Sequence, residues 1–112
     1  MKPYTYYAKV LRVVDGDTIE LAIDLGFTIT WTSTCRLAGV NAYELRDSVE
    51  DTRIKAQKAK EWMSQQLPFG TEVIIVSKSL DKYGRPVAEV WKGKESINEL
   101  LLQTGLAVKY KS

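Results

Sequence analysis

Between Ile19 and Leu25 the chain alternates strictly: Ile19, Leu21, Ile23 and Leu25 are set against Glu20, Ala22 and Asp24. A period of two sends one set to each face of a strand, so this stretch is expected to be half-buried. Ahead of it, Tyr4 to Val14 is aromatic and β-branched and reads as a strand of its own. Asp15-Gly16 lies between the two, a pair favoured in two-residue hairpin turns where backbone φ > 0 is required. Gly26 punctuates the second strand, and Thr28 to Val40 continues as a Thr-rich third. The pattern changes at about Asp47. From there to Gln66 helix formers dominate, with Ile54, Ala59, Trp62, Met63 and Gln66/Leu67 near helical spacing. Pro68 and Gly70 end this helix. Glu72 to Ser77 and Pro86 to Trp91 are two further strands, joined by a loop that carries Asp81-Lys82-Tyr83-Gly84-Arg85. Ser96 and Glu99 then form a capping box, and the helix they open runs through Leu100, Leu101 and Leu102 to Gly105, a suitable left-handed stop.

The order is βββ-α-ββ-α, a mainly β member of the α+β class. Five strands with a helix between the third and fourth is the order of the OB-fold, a five-stranded Greek-key barrel with helices added. The chain has no linker, repeat or low-complexity tract, and its 112 residues suit a single domain over residues 1–112. Trp31, Trp62 and Trp91 are expected in or near the core.

Composition narrows the chemistry. Hydrophobic residues make up 45% and charged residues 27%, which is ordinary for a soluble globular domain. The net charge of +2 leaves room for a local basic cleft but not for a uniformly basic coat. The chain contains no histidine and a single cysteine, Cys35. That excludes an intrachain disulfide, a Cys/His zinc site and any His-based triad or ribonuclease chemistry. Cys35, among apolar and β-branched neighbours, reads as a small core residue. No apolar run approaches the ~20 residues of a membrane span, and the first ten residues lack the continuous apolar region of a signal peptide. No membrane association is expected, and a monomer is.

Acid–base and phosphate chemistry must therefore run on carboxylates, Arg, Lys or Tyr. The segment Arg36 to Glu44, RLAGVNAYE, sets an arginine and a glutamate at the two ends of one strand-to-loop passage. An arginine grips phosphate oxygens bidentately and stays charged at any working pH, and a glutamate can take a proton. With Asp15-Gly16-Asp17-Thr18 and the Asp81–Pro86 segment, these residues suggest a metal-assisted phosphodiesterase.

The same pieces, in this order and spacing and followed by Ile97–Ala107, resemble the staphylococcal nuclease (thermonuclease-like) family, from about Ala8 to about Ala107. The resemblance implies a calcium-dependent nuclease that hydrolyses phosphodiester bonds in DNA and RNA, single-stranded or frayed strands preferred. By position it implies that Arg36 and Arg85 hold the scissile phosphate and that Glu44 is the general base. It implies that Asp17, Asn41 and the backbone carbonyl of Ala42 hold Ca²⁺, with Asp15 or Glu44 contributing through water. Lys82 and Tyr83 would approach a phosphate of the bound nucleotide. Tyr110 is a further candidate for stacking a base, with a core or rim role weighed equally.

Two departures bear on this. Asn41 stands where a family carboxylate holds metal, so one negative charge is lost and weaker calcium binding is expected. Tyr43 stands where a proline is typical, which restores an N–H and loosens the loop carrying Glu44. Each residue also has a plainer role. Asp15 and Asp17 are common turn residues, Arg36 and Arg85 can pair with surface carboxylates, and Glu44 can pair with Arg46. The rival class is a nuclease-like OB module that binds nucleic acid or a protein without cutting.

Overall fold

A computed structural model describes residues 3–43 and 49–110, with the side chain of residue 78 outside the description. Three long strands open the chain: β1 (Thr5–Asp15), β2 (Thr18–Gly26) and β3 (Ile29–Leu37). A short β4 (Val40–Ala42) leads toward helix α1 (Glu50–Gln66). Then follow β5 (Glu72–Leu80), β6 (Pro86–Lys92), a two-residue β7 (Glu95–Ser96), helix α2 (Ile97–Gln103) and β8 (Ala107–Lys109). The main sheet runs β3-β2-β1-β5-β6-β7, and a parallel pairing of β3 with β6 closes it on itself. The closed unit of β1, β2, β3, β5 and β6, with two helices, is the mainly β OB-like barrel expected from the element order.

Alternation along the strands builds the core. Val10, Ile19, Leu21, Ile23, Cys35, Leu37, Ile75, Ala88 and Val90 point inward and are buried. Ala59 and Met63 of α1, with Leu67 just after it, join them. From α2 come Ile97 and Leu101. Complete burial of each large aliphatic side chain is worth roughly 1.5–3 kcal/mol over its exposed state. Half of the capping box forms: the Glu99 amide donates to Ser96 Oγ at 3.3 Å, without the return bond from the Glu99 side chain. Gly105 has φ +75, the left-handed stop that the sequence indicated.

Several local expectations are corrected. The third strand does not run unbroken to Val40. It stops at Leu37, and Gly39, at φ +72, turns the chain into β4. The first hairpin turn consists of Gly16 and Asp17, with Asp15 paired to Thr18 across it. Gly16 is not among the residues with positive φ. Its need for glycine is spatial instead. A Cβ there would lie 2.8 Å from Ala59 Cβ and 3.1 Å from Ala42 Cβ, so α1 and β4 press directly on the turn. Ile54, expected on the buried stripe of α1, is exposed, because alanines 56 and 59 with Met63 supply the face that meets the barrel. Trp31, expected in or near the core, is exposed. Trp62 is half-buried against the core.

Candidate active site at the β1–β2 turn and the β3–β6 junction

Closing the barrel through β3 and β6 brings distant pieces of sequence together. Arg36 lies opposite Val87 in the parallel ladder, and Arg85 is two residues before Val87, in the loop that enters β6. The positive charge of Arg85 reaches Cys35, the neighbour of Arg36 on β3. Thr18 pairs with Arg36 across β2 and β3, so the turn bearing Asp17 arrives at the same end of the barrel. The candidate residues Asp17, Arg36, Asn41 and Ala42 meet there, with Arg85 alongside.

Asp17 is at the centre. It is only 8% exposed, and every polar atom of its side chain is engaged. Oδ2 accepts from Arg36 Nη1 at 2.9 Å and from the Ala42 amide at 3.0 Å. Oδ1 accepts from the Thr18 hydroxyl at 3.0 Å. Its backbone carbonyl accepts from Leu37 N–H at 2.8 Å. Arg36 is held at its tip, for Nη2 donates to Val40 O at 3.3 Å and to Asn41 Oδ1 at 3.4 Å. The two side-chain oxygens proposed by sequence as metal ligands, from Asp17 and Asn41, thus converge on one guanidinium.

Arg85 is held differently. Asp81 folds the β5–β6 loop by accepting through Oδ1 from the amides of Tyr83 (2.9 Å) and Arg85 (3.0 Å). Its Oδ2 then accepts from Arg85 Nε at 2.7 Å. The fork of Arg85 is therefore anchored by its stem-side nitrogen, and among the described residues no hydrogen bond is made by either Nη. Desolvation pushes the Asp81 carboxyl upward, but the bonds from Arg85 and Tyr83 and the Arg85 charge outweigh it and hold the group below its ordinary 3.8. Tyr83 is exposed, with Lys82 Nζ and the Arg85 guanidinium carbon 5.2 and 5.4 Å from its ring centre.

Two residues acquire surroundings that local sequence could not supply. β4 pairs with β8, Val40 opposite Lys109, and the Tyr110 amide donates to Gly39 O at 2.9 Å. This seats the Tyr110 ring 5.4 Å from the Arg36 guanidinium carbon, at the rim of the site. Tyr43 lies under Lys55 of α1, the ammonium 5.2 Å from the ring centre, which ties the residue before Glu44 to the helix. Glu44 itself, with Arg46, lies outside the described residues. Asn98 was missed by sequence reasoning. It is buried, accepts from Val90 N–H at 2.9 Å, and donates to Ala38 O (2.8 Å) and Ala88 O (3.1 Å). It therefore pins α2 to the joint between Arg36 and Asn41. An asparagine in the apolar run of a capped helix was the available signal.

As a donor set, Asp17, Asn41 and the Ala42 carbonyl are all oxygen, which suits a hard divalent cation in kind. The set carries one formal negative charge, already opposed by Arg36. Among the described residues there is no group of three His, Cys, Asp or Glu side chains placed to hold a metal.

The family model described as "Staphylococcal nuclease homologue" matches residues 34–112, more than half of the chain. The chain belongs to that family. The matched segment contains Arg36, Asn41, Ala42, Lys82, Tyr83, Arg85 and Tyr110, while Asp17 precedes it. The thermonuclease of Staphylococcus hyicus is 33% identical over 100 residues, covering 88% of this chain and 56% of that protein. The micrococcal nuclease of Shigella flexneri is 26% identical over 115 residues, covering 95% and 59%. An uncharacterized endonuclease of Haemophilus influenzae is 28% identical over 107 residues, covering 92% and 52%. The chain thus spans little more than half the length of the curated relatives it matches. No helix among the described residues is long and apolar enough to cross a membrane.

Proposed function

We propose that this chain is the catalytic domain of a nuclease that hydrolyses phosphodiester bonds in DNA and RNA, single-stranded or frayed regions first. The observation that supports this reading is the junction of β3 and β6, where Arg36 pairs with Val87 and bonds Asp17, and where Arg85 stands at the entry to β6. A phosphodiester approaching its transition state gathers negative charge on its nonbridging oxygens. Arg85, fixed through Nε, offers its two Nη groups to those oxygens, and Arg36 joins once it exchanges Asp17 for phosphate. Glu44, assigned by resemblance, takes the proton of the attacking water, a contribution of about 10²–10⁴-fold. Lys82 and Tyr83 receive a neighbouring phosphate, and Tyr110 stacks a base against the Arg36 side of the cleft.

Asp17, Asn41 and the Ala42 carbonyl would hold Ca²⁺, with Asp15 or Glu44 contributing through water. Bound there, the ion supplies positive charge beside the phosphate and acidifies nearby water. Asn41 leaves the site short of negative charge, so phosphate and ion should favour each other's binding.

Incubation of the protein with single-stranded DNA in Ca²⁺ and then in EDTA, alongside Glu44→Gln, tests the proposal. Calcium-dependent cleavage by the wild type and near-loss in the variant are expected. Absence of cleavage by the wild type would sink the nuclease reading, and equal cleavage by the variant would remove Glu44 as base. One observation favours the rival, a module that binds nucleic acid or protein without cutting: both Nη groups of Arg36 are committed to Asp17, Val40 and Asn41. Tight oligonucleotide binding without cleavage at any calcium concentration would select it.

A further inference from the structure

The inward face of the barrel continues past its packed core. On β1, Tyr6 extends the face of Ala8 and Val10 and lies directly opposite Ile75 of β5. On β3, Trp31 shares the face of Cys35 and lies opposite Ile23 of β2. Ile23 and Ile75 are buried. One step further along these strands the inward positions reach water: Trp31 is 38% exposed, Leu25 40% and Tyr4 55%. β3 meets β6 only at Arg36 and Leu37, so that pairing does not seal the barrel beside Trp31.

A cleft of about 210 Å³ lies here, lined by Tyr4, Tyr6, Leu25 and Trp31 together with Leu80 and Pro86. Ile23 and Ile75 line it where it meets the core, and Ser77 and Ser79 add hydroxyls. Inward positions of a small barrel are ordinarily filled by packed side chains. Three aromatic residues around open space are a departure from that. Tyr4 holds φ 61, a left-handed value that a bulky residue rarely adopts, and Ser77 N–H fixes it by donating to Tyr4 O at 3.0 Å. Strain of this kind gathers at positions that hold ligands.

Leu80 and Pro86 select the occupant. They pair with each other across the β5–β6 hairpin, and the loop between them is Asp81–Arg85. One wall of the cleft is therefore continuous with the loop that aims Arg85. Resting on the nuclease reading above, we infer that the cleft is a nucleobase subsite, which takes a base next to the phosphate held by Arg85. It is separate from Tyr110, which stands over Arg36.

The chemistry of the lining agrees. The cleft is smaller than the ~300–1,000 Å³ of sites for drug-sized ligands, so it has room for one planar ring system. Aromatic rings stack any base, since every base has a π-face. Among the described residues the lining carries no carboxylate to repel a polyanion. Ser77 Oγ donates to Val87 O at 3.0 Å and keeps its lone pairs for a base N–H. An aliphatic occupant would leave the hydroxyls without partners, at a cost that a base edge avoids. A base can enter only after leaving its own stack, which single-stranded and frayed regions allow most readily.

Binding of single-stranded oligonucleotides in EDTA, followed by tryptophan emission and by anisotropy of a labelled strand, tests the subsite apart from cleavage. One strand keeps every base, and the others each lack one base with the phosphates intact. The wild type should lose about tenfold in affinity when one particular base is missing, and the change in tryptophan emission should vanish with it. Trp31→Ala and Tyr4→Ala should bind the complete strand about tenfold more weakly and be indifferent to that base. Tyr4 is more than half exposed, so its variant keeps the test decisive should Trp31→Ala fail to fold. Equal sensitivity of the wild type and the folded variants to every missing base overturns the inference, as does failure of the complete strand to bind. An apolar dye that fills the cleft and is not displaced by the strand overturns it equally. Cleavage in Ca²⁺ without any base-dependent coupling to Trp31 or Tyr4 would remove the subsite and leave the nuclease. Base-dependent binding through these residues without cleavage would support the subsite and remove the nuclease.

Discussion

Arg36 Nη1 and Asp17 Oδ2 lie 2.9 Å apart, and this pair spans β3 and the β1–β2 turn, nineteen residues away in sequence. Both side chains are mostly withdrawn from water, at 21% and 11% exposure. The arginine proposed to hold phosphate and the carboxylate proposed to hold a cation therefore neutralise each other. A divalent ion approaching Asp17 meets a positive charge already in place, at a cost of about 4 kcal/mol per unit charge pair at 4 Å and an effective dielectric of 20. Arg36→Gln should therefore bind Ca²⁺ at least about tenfold more tightly than the wild type, even as it loses cleavage. Titration calorimetry with Ca²⁺ alone reads this directly. An unchanged affinity would mean that Asp17 is not where the ion binds.

Arg85 gives a second prediction through Asp81. If the 2.7 Å bond to Nε aims the guanidinium at phosphate, Asp81→Asn should lower kcat more than it raises KM. In an Arg85→Ala background the same change should add almost nothing. Additive losses would show that Asp81 serves only the loop. The pH dependence has a definite sign. The Asp81 carboxyl is held below its ordinary 3.8, so its contribution is present at all pH values above the unfolded pKa. It is lost only as pH falls through the lower folded value. Loop order, followed by the Arg85 Nε–H resonance, should persist through mild acid and fail only in strong acid.

How much of this was legible in the sequence depended on the range of the interaction. The alternation from Ile19 to Ile23 and the Ser96 cap are local, and both appear, although Leu25 at the strand end is exposed and only the Glu99 N–H to Ser96 half of the capping box forms. The helix from Glu50 also appears, but its buried face was misassigned at Ile54, because tight docking chose alanine over a larger side chain. The short strands β4, β7 and β8 could not be read. Two or three residues carry no period, and β4 exists only because β8 returns to pair with it. Arg36 and Asp17, singled out through the family resemblance, are brought together in the structure. Their mutual engagement could not be foreseen, since hydrogen-bond partners nineteen residues apart follow from closure of the barrel.

Gly16 shows how a sound sequence signal can have a different cause. Asp-Gly suggested a turn that needs positive φ, whereas the residue is small because Ala59 and Ala42 crowd it. Gly16→Ala should therefore destabilise by about 1–3 kcal/mol through overpacking. It should also disturb Asp17, which sits on the same turn. Gly105→Ala, whose new Cβ would meet open space at φ +75, should cost about 1 kcal/mol through backbone strain alone. Urea unfolding compares the two. Relief of the Gly16→Ala penalty by Ala59→Gly, beyond the helix penalty of that glycine alone, would confirm the contact, and its absence would refute it.

Cys35 supplies the last prediction. Burial among core side chains pushes its thiol up from 9.0 to about 12, with the Arg85 charge pulling weakly the other way. The thiolate is the reactive form, so the folded protein should resist thiol reagents at pH 8 and react at the rate of unfolding. The stability consequence follows from the raised value. The neutral thiol favours the folded state fully below the unfolded pKa, and that advantage shrinks as pH rises from 9.0 toward about 12. Cys35→Ala should remove this alkaline component while costing cavity energy at all pH values. Arg85→Ala gives a finer check. It should raise the Cys35 value further and slow labelling at high pH. Faster labelling in that variant would show that Arg85 shields Cys35 sterically, and that its charge is not what the thiol senses.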